Sequence, residues 1–178
     1  MNLIIIKLVR FIILLNRIKI NIQMLRGINQ MSNKWDRRFL SLAKEVSTWS
    51  EDPNTKVGAV IVGVNKQVIS QGYNGFPRGY EDSEGIMADR LQKLQLMCHA
   101  EANAIYNALY NGASVLGATI YIHGLPPCHE CAKAIIQCGI NRVVYYKLQK
   151  ETKWKESCEL ATDMFRQCGI TVEVLKNE

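Results

Sequence analysis

Apolar residues recur along the chain at two spacings, and these predict its first elements. Five follow a helical period: Trp35, Phe39, Leu42, Val46 and Trp49. They predict an amphipathic helix over about 35–50, which turn-forming residues at 51–54 end. The β-rich runs at 57–64 and 67–73 flank Asn65-Lys66 and predict a hairpin.

The rest of the chain alternates helical and extended patterns. Loop chemistry at 74–79 and a polar stretch to about 86 precede a helix ending near Met97. Further helices are predicted over 101–111, from Cys128 to Gly139 and over 154–168, and strands over 118–123, 142–146 and 170–175. The order α-β-β-α-β-α-β-α-β predicts an α/β fold, a mixed five-stranded sheet with helices on both faces and parallel neighbours where a helix intervenes. No repeat or linker divides residues 31–178, which we expect to form one domain.

Residues 1–30 differ from the rest because they are apolar and basic without an acid. Four cations interrupt the apolar run: Lys7, Arg10, Arg17 and Lys19. We therefore expect no stable membrane insertion, and the absence of a small-residue cleavage site disfavours a secretory signal. Our interpretation is an extension outside the fold, upstream of an alternative start at Met31; a basic segment for targeting or a membrane surface is the alternative.

Charge and cysteine usage narrow the class of partner and the compartment. The net charge is +6, but six of the 22 basic residues and none of the 16 acidic ones fall within 1–35. The remainder has no excess charge to attract nucleic acid, so we expect no nucleic-acid partner. The six cysteines lack a disulfide pattern, which suits a reducing, cytoplasmic setting. Three of them are predicted to be packing residues on helices: Cys138, Cys158 and Cys168.

Two short segments carry the candidate chemistry, Cys98-His99-Ala100-Glu101 and Pro126–Cys131. They supply one imidazole and two thiols, which zinc prefers, and leave a fourth position open for water. Cys128 and Cys131 are one helical turn apart at a predicted helix start, where the dipole favours thiolates. We predict one catalytic Zn²⁺ held by His99, Cys128 and Cys131.

Glu101 is predicted to be the catalytic acid and base, separate from the ligands. The H-x-E…P-C-x-x-C pattern is the signature of zinc-dependent nucleobase deaminases. In such a site a zinc-activated hydroxide attacks C4 of cytosine, and Glu101 carries protons to N3 and to the departing ammonia. His129, between the cysteines, should face solvent, whereas His123 ends a strand near the site and is a candidate substrate contact. Cys98 is expected to pack into the core.

Four blocks at 52–62, 72–79, 99–105 and 127–136 resemble the deoxycytidylate (dCMP) deaminase family, in the same order over roughly 34–146. The resemblance implies the three-layer cytidine-deaminase fold and hydrolysis of dCMP to dUMP, which feeds dTMP synthesis. It also implies a homo-oligomer with effector sites between subunits.

The same resemblance suggests a substrate contact and an effector loop. Asn74 resembles the asparagine that contacts sugar or base in related deaminases, although it also suits a turn. Residues of its loop resemble those that hold dCTP, with Mg²⁺, in regulated members: Asn74, Gly75, Pro77 and Gly79. Residues 123–127 lack the aromatic side chain of many members, which leaves substrate choice open. Five cations are candidates for the 5′-phosphate: Lys56, Arg78, Arg90, Lys93 and Lys147.

Three other functions fit parts of the pattern. A tRNA adenosine deaminase shares the zinc motif, but the neutral domain and the long segment between Asn74 and His99 argue against it. A deaminase acting on both dCMP and dCTP differs only in the room around the phosphate. An inactive, zinc-stabilised regulatory module would have no need of Glu101, so that residue separates it from an enzyme.

Overall fold

The computed structural model describes residues 34–81, 84–148 and 152–176. Residues 38–178 form one compact unit, and residues 1–37 form another, of which 34–37 are described. The predicted extension at 1–30 and the alternative start at Met31 lie outside the described residues. No helix among the described residues has both the length and the apolar character needed to span a membrane.

Six helices and five strands are described in these parts of the chain. Helix α1 is described over 34–47. The others are β1 Gly58–Val62, β2 Val68–Tyr73, α2 Glu84–Ala88, α3 Arg90–Leu96, α4 Ala100–Tyr110, β3 Thr119–His123, α5 His129–Gln137, β4 Arg142–Tyr146, α6 Lys155–Gln167 and β5 Thr171–Leu175.

The five strands form one mixed sheet in the order β2-β1-β3-β4-β5. Strand β1 runs antiparallel to β2 and β3, while β3, β4 and β5 are parallel neighbours. Helices α5 and α6 connect the parallel strands, as crossovers of that kind require. The predicted mixed sheet is confirmed.

Helices cover both faces of the sheet, and two glycines allow a helix backbone to approach the strands closely. A Cβ at Gly58 would clash with the Ala43 carbonyl oxygen of α1. A Cβ at Gly72 would clash with the Ala104 backbone nitrogen of α4. Gly72 pairs with Ala59, the residue after Gly58, and successive residues of a strand face opposite sides. Helices α1 and α4 therefore lie on opposite faces, and the fold has three layers.

The main core fills the α4 face of the sheet. Phe165 of α6 packs there with fully buried aliphatic residues of β1, β3 and β4, which are Ile61, Ile120, Ile122 and Val143. This cluster anchors α4, α5 and α6 to the sheet. On the other face the Phe39 ring of α1 lies 5.1 Å from the Tyr121 ring. This packing fixes the beginnings of α4 and α5.

The segment before α4 differs from the prediction of one helix ending near Met97. Asp89 interrupts it and begins a new helix, since its Oδ1 accepts the N–H groups of Leu91 at 2.9 Å and Gln92 at 3.1 Å. An aspartate in extended conformation at this position is a good helix cap. Two short helices, α2 and α3, therefore replace the single one.

Candidate active site

Two helix beginnings bring the candidate metal ligands together. His99 occupies the N-cap position of α4 and Cys128 that of α5, both in extended conformation. Neither side chain makes a capping hydrogen bond. Cys131 follows in the first turn of α5, where the side chains three residues apart share a side of the helix. The imidazole and both thiols are thus available to a common ligand.

The three donor atoms have the spacing that a tetrahedral metal requires. His99 Nδ1 lies 3.4 Å from Cys128 Sγ and 3.3 Å from Cys131 Sγ, and all three ligand atoms lie within 4.8 Å of one another. Tetrahedral Zn–S and Zn–N bonds separate their donor atoms by roughly 3.5–3.8 Å. One nitrogen and two sulfurs at this spacing fit a zinc ion with a position left open.

The charge of the cluster favours a cation as well. Hydrogen bonds with Cys131 and then His99 lower the pKa of the Cys128 thiol to about 3, although burial opposes them. The pKa of Cys131 is raised by its hydrogen bond with Cys128 and by burial. The hydrogen bond with Cys128 also raises the pKa of His99, and Glu101 adds to that effect. One thiolate forms readily, and a divalent cation would stabilise the second.

Glu101 lies beside this cluster in the first turn of α4. Its side chain is buried, with the residue 4% exposed, and burial raises its pKa above the ordinary value of a glutamate. It does not belong to the three-residue ligand cluster. A carboxyl group with a raised pKa holds a proton more readily than an exposed glutamate does, which suits general acid–base chemistry.

A cavity of about 730 Å³ opens onto these groups. His99, Glu101 and Cys128 line it, while Cys131 lies behind them. The other walls come from the loop after α1, from α2 and α3, and from the beginning of α6: Asp52, Asn54, Thr55, Met87, Arg90, Lys93, Leu94, Met97, Lys153, Trp154 and Ser157. The volume is within the range of small-molecule sites.

Asn74 also lines the cavity, at the end of β2, and its side chain holds the neighbouring backbone. Its Oδ1 accepts the Val57 N–H at 2.7 Å, and its Nδ2 donates to the Thr55 carbonyl at 2.9 Å. Nδ2 also makes a weak contact with Met97 Sδ at 4.0 Å, and Met97 lines the cavity as well.

His123 is not brought to the cavity. It pairs with Gly58 across β1 and β3, and therefore lies on the face that α1 covers. Burial, with Lys44 nearby, lowers the pKa of its imidazole. Ile122, one residue earlier, faces the α4 side instead, because side chains alternate along a strand.

Two other predicted residues have structural contacts near the site. His129 borders the cavity outside the ligand cluster, and its Nδ1 lies 2.7 Å from Ser157 Oγ, which ties α5 to α6. Cys98 is half-buried rather than packed in the core, and its backbone pairs with Gly75. Cys158, expected to be a packing residue, lines the cavity.

Of the five candidate phosphate cations, Arg90 and Lys93 line the cavity. Lys56 donates to the Ser50 carbonyl, Arg78 donates to Asn107, and Lys147 lines a separate groove. Sequence reasoning missed Lys153, which lines the cavity just before α6. It belongs to no motif, and its only signal was its place before a predicted helix.

The candidate effector loop is attached to α4. Gly75 exchanges two backbone hydrogen bonds with Cys98, at 2.9 and 3.1 Å, next to His99. Tyr80 N donates to the Pro77 carbonyl at 3.0 Å, and Gly79 has a positive φ of 77°. Glycine adopts that conformation without strain, so it suits this turn.

Fold and site together define the class: an α/β domain with one imidazole and two thiols at helix beginnings, beside a buried carboxyl group, is the arrangement of a zinc-dependent nucleobase deaminase. The family model for the cytidine and deoxycytidylate deaminase zinc-binding region matches residues 33–147. The chain belongs to that family.

Individual relatives agree with this assignment. The chain is 37% identical to human deoxycytidylate deaminase over 145 residues, covering 78% of each chain. It is 39% identical to an uncharacterized deaminase of Aliivibrio fischeri, covering 80% of this chain and 94% of that one. Among solved structures, dCMP deaminase from the cyanophage S-TIM5 in complex with dCMP and dUMP superposes with a TM-score of 0.63 at 26% identity, over 78% of this chain and 95% of that one.

Proposed function

We propose that the protein hydrolyses dCMP to dUMP and ammonia. The reaction breaks the C4–N bond of cytosine and forms a C4–O bond with water, and no electrons are exchanged. The observation that carries the proposal is the buried carboxyl group of Glu101 beside the His99, Cys128 and Cys131 cluster, at a cavity of about 730 Å³. Human deoxycytidylate deaminase, to which the chain is 37% identical, supports the choice of substrate.

Three side chains would hold one zinc ion: His99, Cys128 and Cys131. When bound, zinc lowers the pKa of water, so that attack on carbon proceeds at neutral pH. The two thiolates of Cys128 and Cys131 would balance the charge of the metal, and His99 and Cys128 line the cavity that would receive the substrate.

Glu101 moves the protons in this mechanism. It accepts one from the attacking water, delivers it to N3 of the cytosine ring, and later protonates the departing amine. Burial raises its pKa, which favours the gain of a proton from the attacking water. It lines the cavity without belonging to the ligand cluster, so it can act on the substrate as an acid and base.

Substrate recognition is assigned to two parts of the cavity wall. Asn74 contacts the sugar or base through the Nδ2 that faces Met97. The 5′-phosphate meets exposed cations from the α3 and α6 walls, Arg90 and Lys153, whereas Lys93 is paired with Asp52. Whether dCTP is also accepted depends on the room beside those residues. His123 has no role in this scheme.

Regulation and assembly extend the proposal. A dCTP effector with Mg²⁺ would bind the loop of Asn74, Gly75, Pro77 and Gly79, whose pairing with Cys98 connects it to the ligand His99. We further propose that the enzyme is a homo-oligomer and that it acts in the cytoplasm, where reducing conditions prevent a disulfide between Cys128 and Cys131.

A substrate panel tests the proposal. The zinc-loaded full-length protein is incubated with cytidine, CMP, dCMP, dCTP and a tRNA stem-loop, with and without dCTP–Mg²⁺ and dTTP, and ammonia release is followed. We expect the fastest release from dCMP. Turnover of adenosine in the stem-loop without turnover of dCMP would favour the tRNA enzyme, and no turnover of any substrate would favour the inactive module.

A further inference from the structure

A buried ion pair, Asp52 with Lys93, lies in the wall of the cavity. Lys93 Nζ is 3.0 Å from Asp52 Oδ1, and the two side chains are 9% and 6% exposed. Both residues line the cavity. The pair joins the loop after α1 to the last turn of α3 across 41 positions of sequence.

The same carboxyl oxygen organises the loop. Asp52 Oδ1 accepts the backbone N–H of Asn54 at 2.8 Å and of Thr55 at 3.2 Å, in addition to the Lys93 ammonium. Burial alone would raise the pKa of this carboxyl group, but these three donors together lower it. Asp52 is thus held as a carboxylate, and these three donors all bind its Oδ1.

Lys93 fixes the position of α3 through the same ion pair. That helix has seven residues, which is too short to be stable without tertiary contacts. It presents Arg90 and Leu94 to the cavity, and Met97, at its C-terminal cap, lines the cavity too. The loop presents Asn54 and Thr55, and Thr55 is tied in turn to Asn74. The ion pair is the polar link between these two parts of the wall.

Stability alone does not account for such a pair. Desolvation of two charges costs about as much as their attraction returns, and well-packed apolar residues often serve equally well. The catalytic groups are on α4 and α5, whereas the pair joins two elements that carry none of them. A fixed spacing between the loop and α3 is what the pair adds.

We infer that the Asp52–Lys93 pair is a positioning device for nucleotide binding, which sets the distance between loop 52–55 and α3. The inference rests on the proposed function for its substrate. It assigns the pair to the affinity for dCMP, and leaves the proton transfers of Glu101 unaffected.

The test replaces both charges at once, in Asp52→Asn/Lys93→Met. Single removal of Lys93 would leave a buried charge unpaired, whereas the double variant buries two neutral groups and is expected to fold. We expect KM for dCMP to rise about tenfold while kcat stays within about threefold, as when an interaction serves binding alone.

Hydrogen exchange gives a readout that needs no substrate. In the double variant the amides of Asn54, Thr55 and α3 should exchange faster, while those of β1–β5 and α4 keep their protection. The matched control is Asp163→Asn/Arg166→Met, which removes an exposed ion pair of 2.9 Å on α6 and should change neither quantity.

Three results would overturn the inference: unchanged KM together with unchanged exchange, a fall in kcat at constant KM, or a loss of protection spread evenly over the whole sheet. A wild-type protein that leaves dCMP intact would overturn the proposed function instead. In that case the exchange pattern still decides whether the pair holds the wall.

Discussion

His99 Nδ1 lies 3.3 Å from Cys131 Sγ, although 32 positions separate these residues along the chain. The contact exists because α4 and α5 begin side by side on one face of the sheet, anchored by buried aliphatic residues of β1 and β3. The metal cluster is therefore a product of the fold, while its ligands come from two local motifs.

Glu101→Gln should abolish deamination without loss of the metal. The amide has nearly the shape of the carboxyl group but cannot transfer a proton, so we expect kcat to fall by about 10²–10⁴. Steady-state kinetics with dCMP, combined with zinc analysis of the same sample, measures both properties. An active Glu101→Gln variant would exclude the proposed proton carrier.

Cys131→Ser should reduce zinc binding and, with it, activity. Serine oxygen is a poor substitute for a thiolate, and Cys131 supplies one of only two sulfurs in the cluster. We expect less than one zinc per chain after dialysis and a lower unfolding temperature. Cys168→Ser is the control, because that thiol is exposed at the end of α6. Equal zinc content in both variants would contradict the ligand assignment.

Local motifs explain why the proximity of the three candidate ligands was predictable and the position of His123 was not. His99, Glu101, Cys128 and Cys131 lie within two short segments whose helix beginnings are evident from sequence. The side to which His123 points depends on the register of β3 with β1, since a shift of one residue reverses it. No local pattern fixes that register.

The fold was predictable for a related reason. Strands such as β1 and β4 carry runs of β-branched residues, and Gly112 and Gly139 end helices in positive-φ conformations of 65° and 74°. The break at Asp89 was missed because an aspartate within a polar stretch is compatible with one helix or two. The Asp52–Lys93 pair and the place of Lys153 in the cavity wall were missed because these residues are distant in sequence and come to one cavity only after the layers assemble.

Gly58→Ala should destabilise the protein. A Cβ there would clash with the Ala43 carbonyl oxygen and the Ser47 backbone nitrogen, so α1 must move away from the sheet. Overpacking of this kind costs about 1–3 kcal/mol or more. Gly85→Ala is the control, because nothing lies within 4 Å of its Cβ position and alanine favours α2. Denaturant unfolding of both variants measures the difference; equal stability would show that α1 adjusts without cost.

Replacement of the cations in the cavity wall should distinguish phosphate binding from base recognition. Arg90, at the beginning of α3, and Lys153, just before α6, are exposed residues that line the cavity. If both face the 5′-phosphate, then Arg90→Ala and Lys153→Ala should each raise KM for dCMP about tenfold, which corresponds to about 1.4 kcal/mol of binding. Neither should change the slower turnover of deoxycytidine, which has no phosphate.

Lys147→Ala is the matched control, since Lys147 lines a separate groove and its loss should change KM for neither substrate. Equal losses with dCMP and deoxycytidine would place these cations at the sugar or base, and the phosphate site would then have to be sought around Lys93.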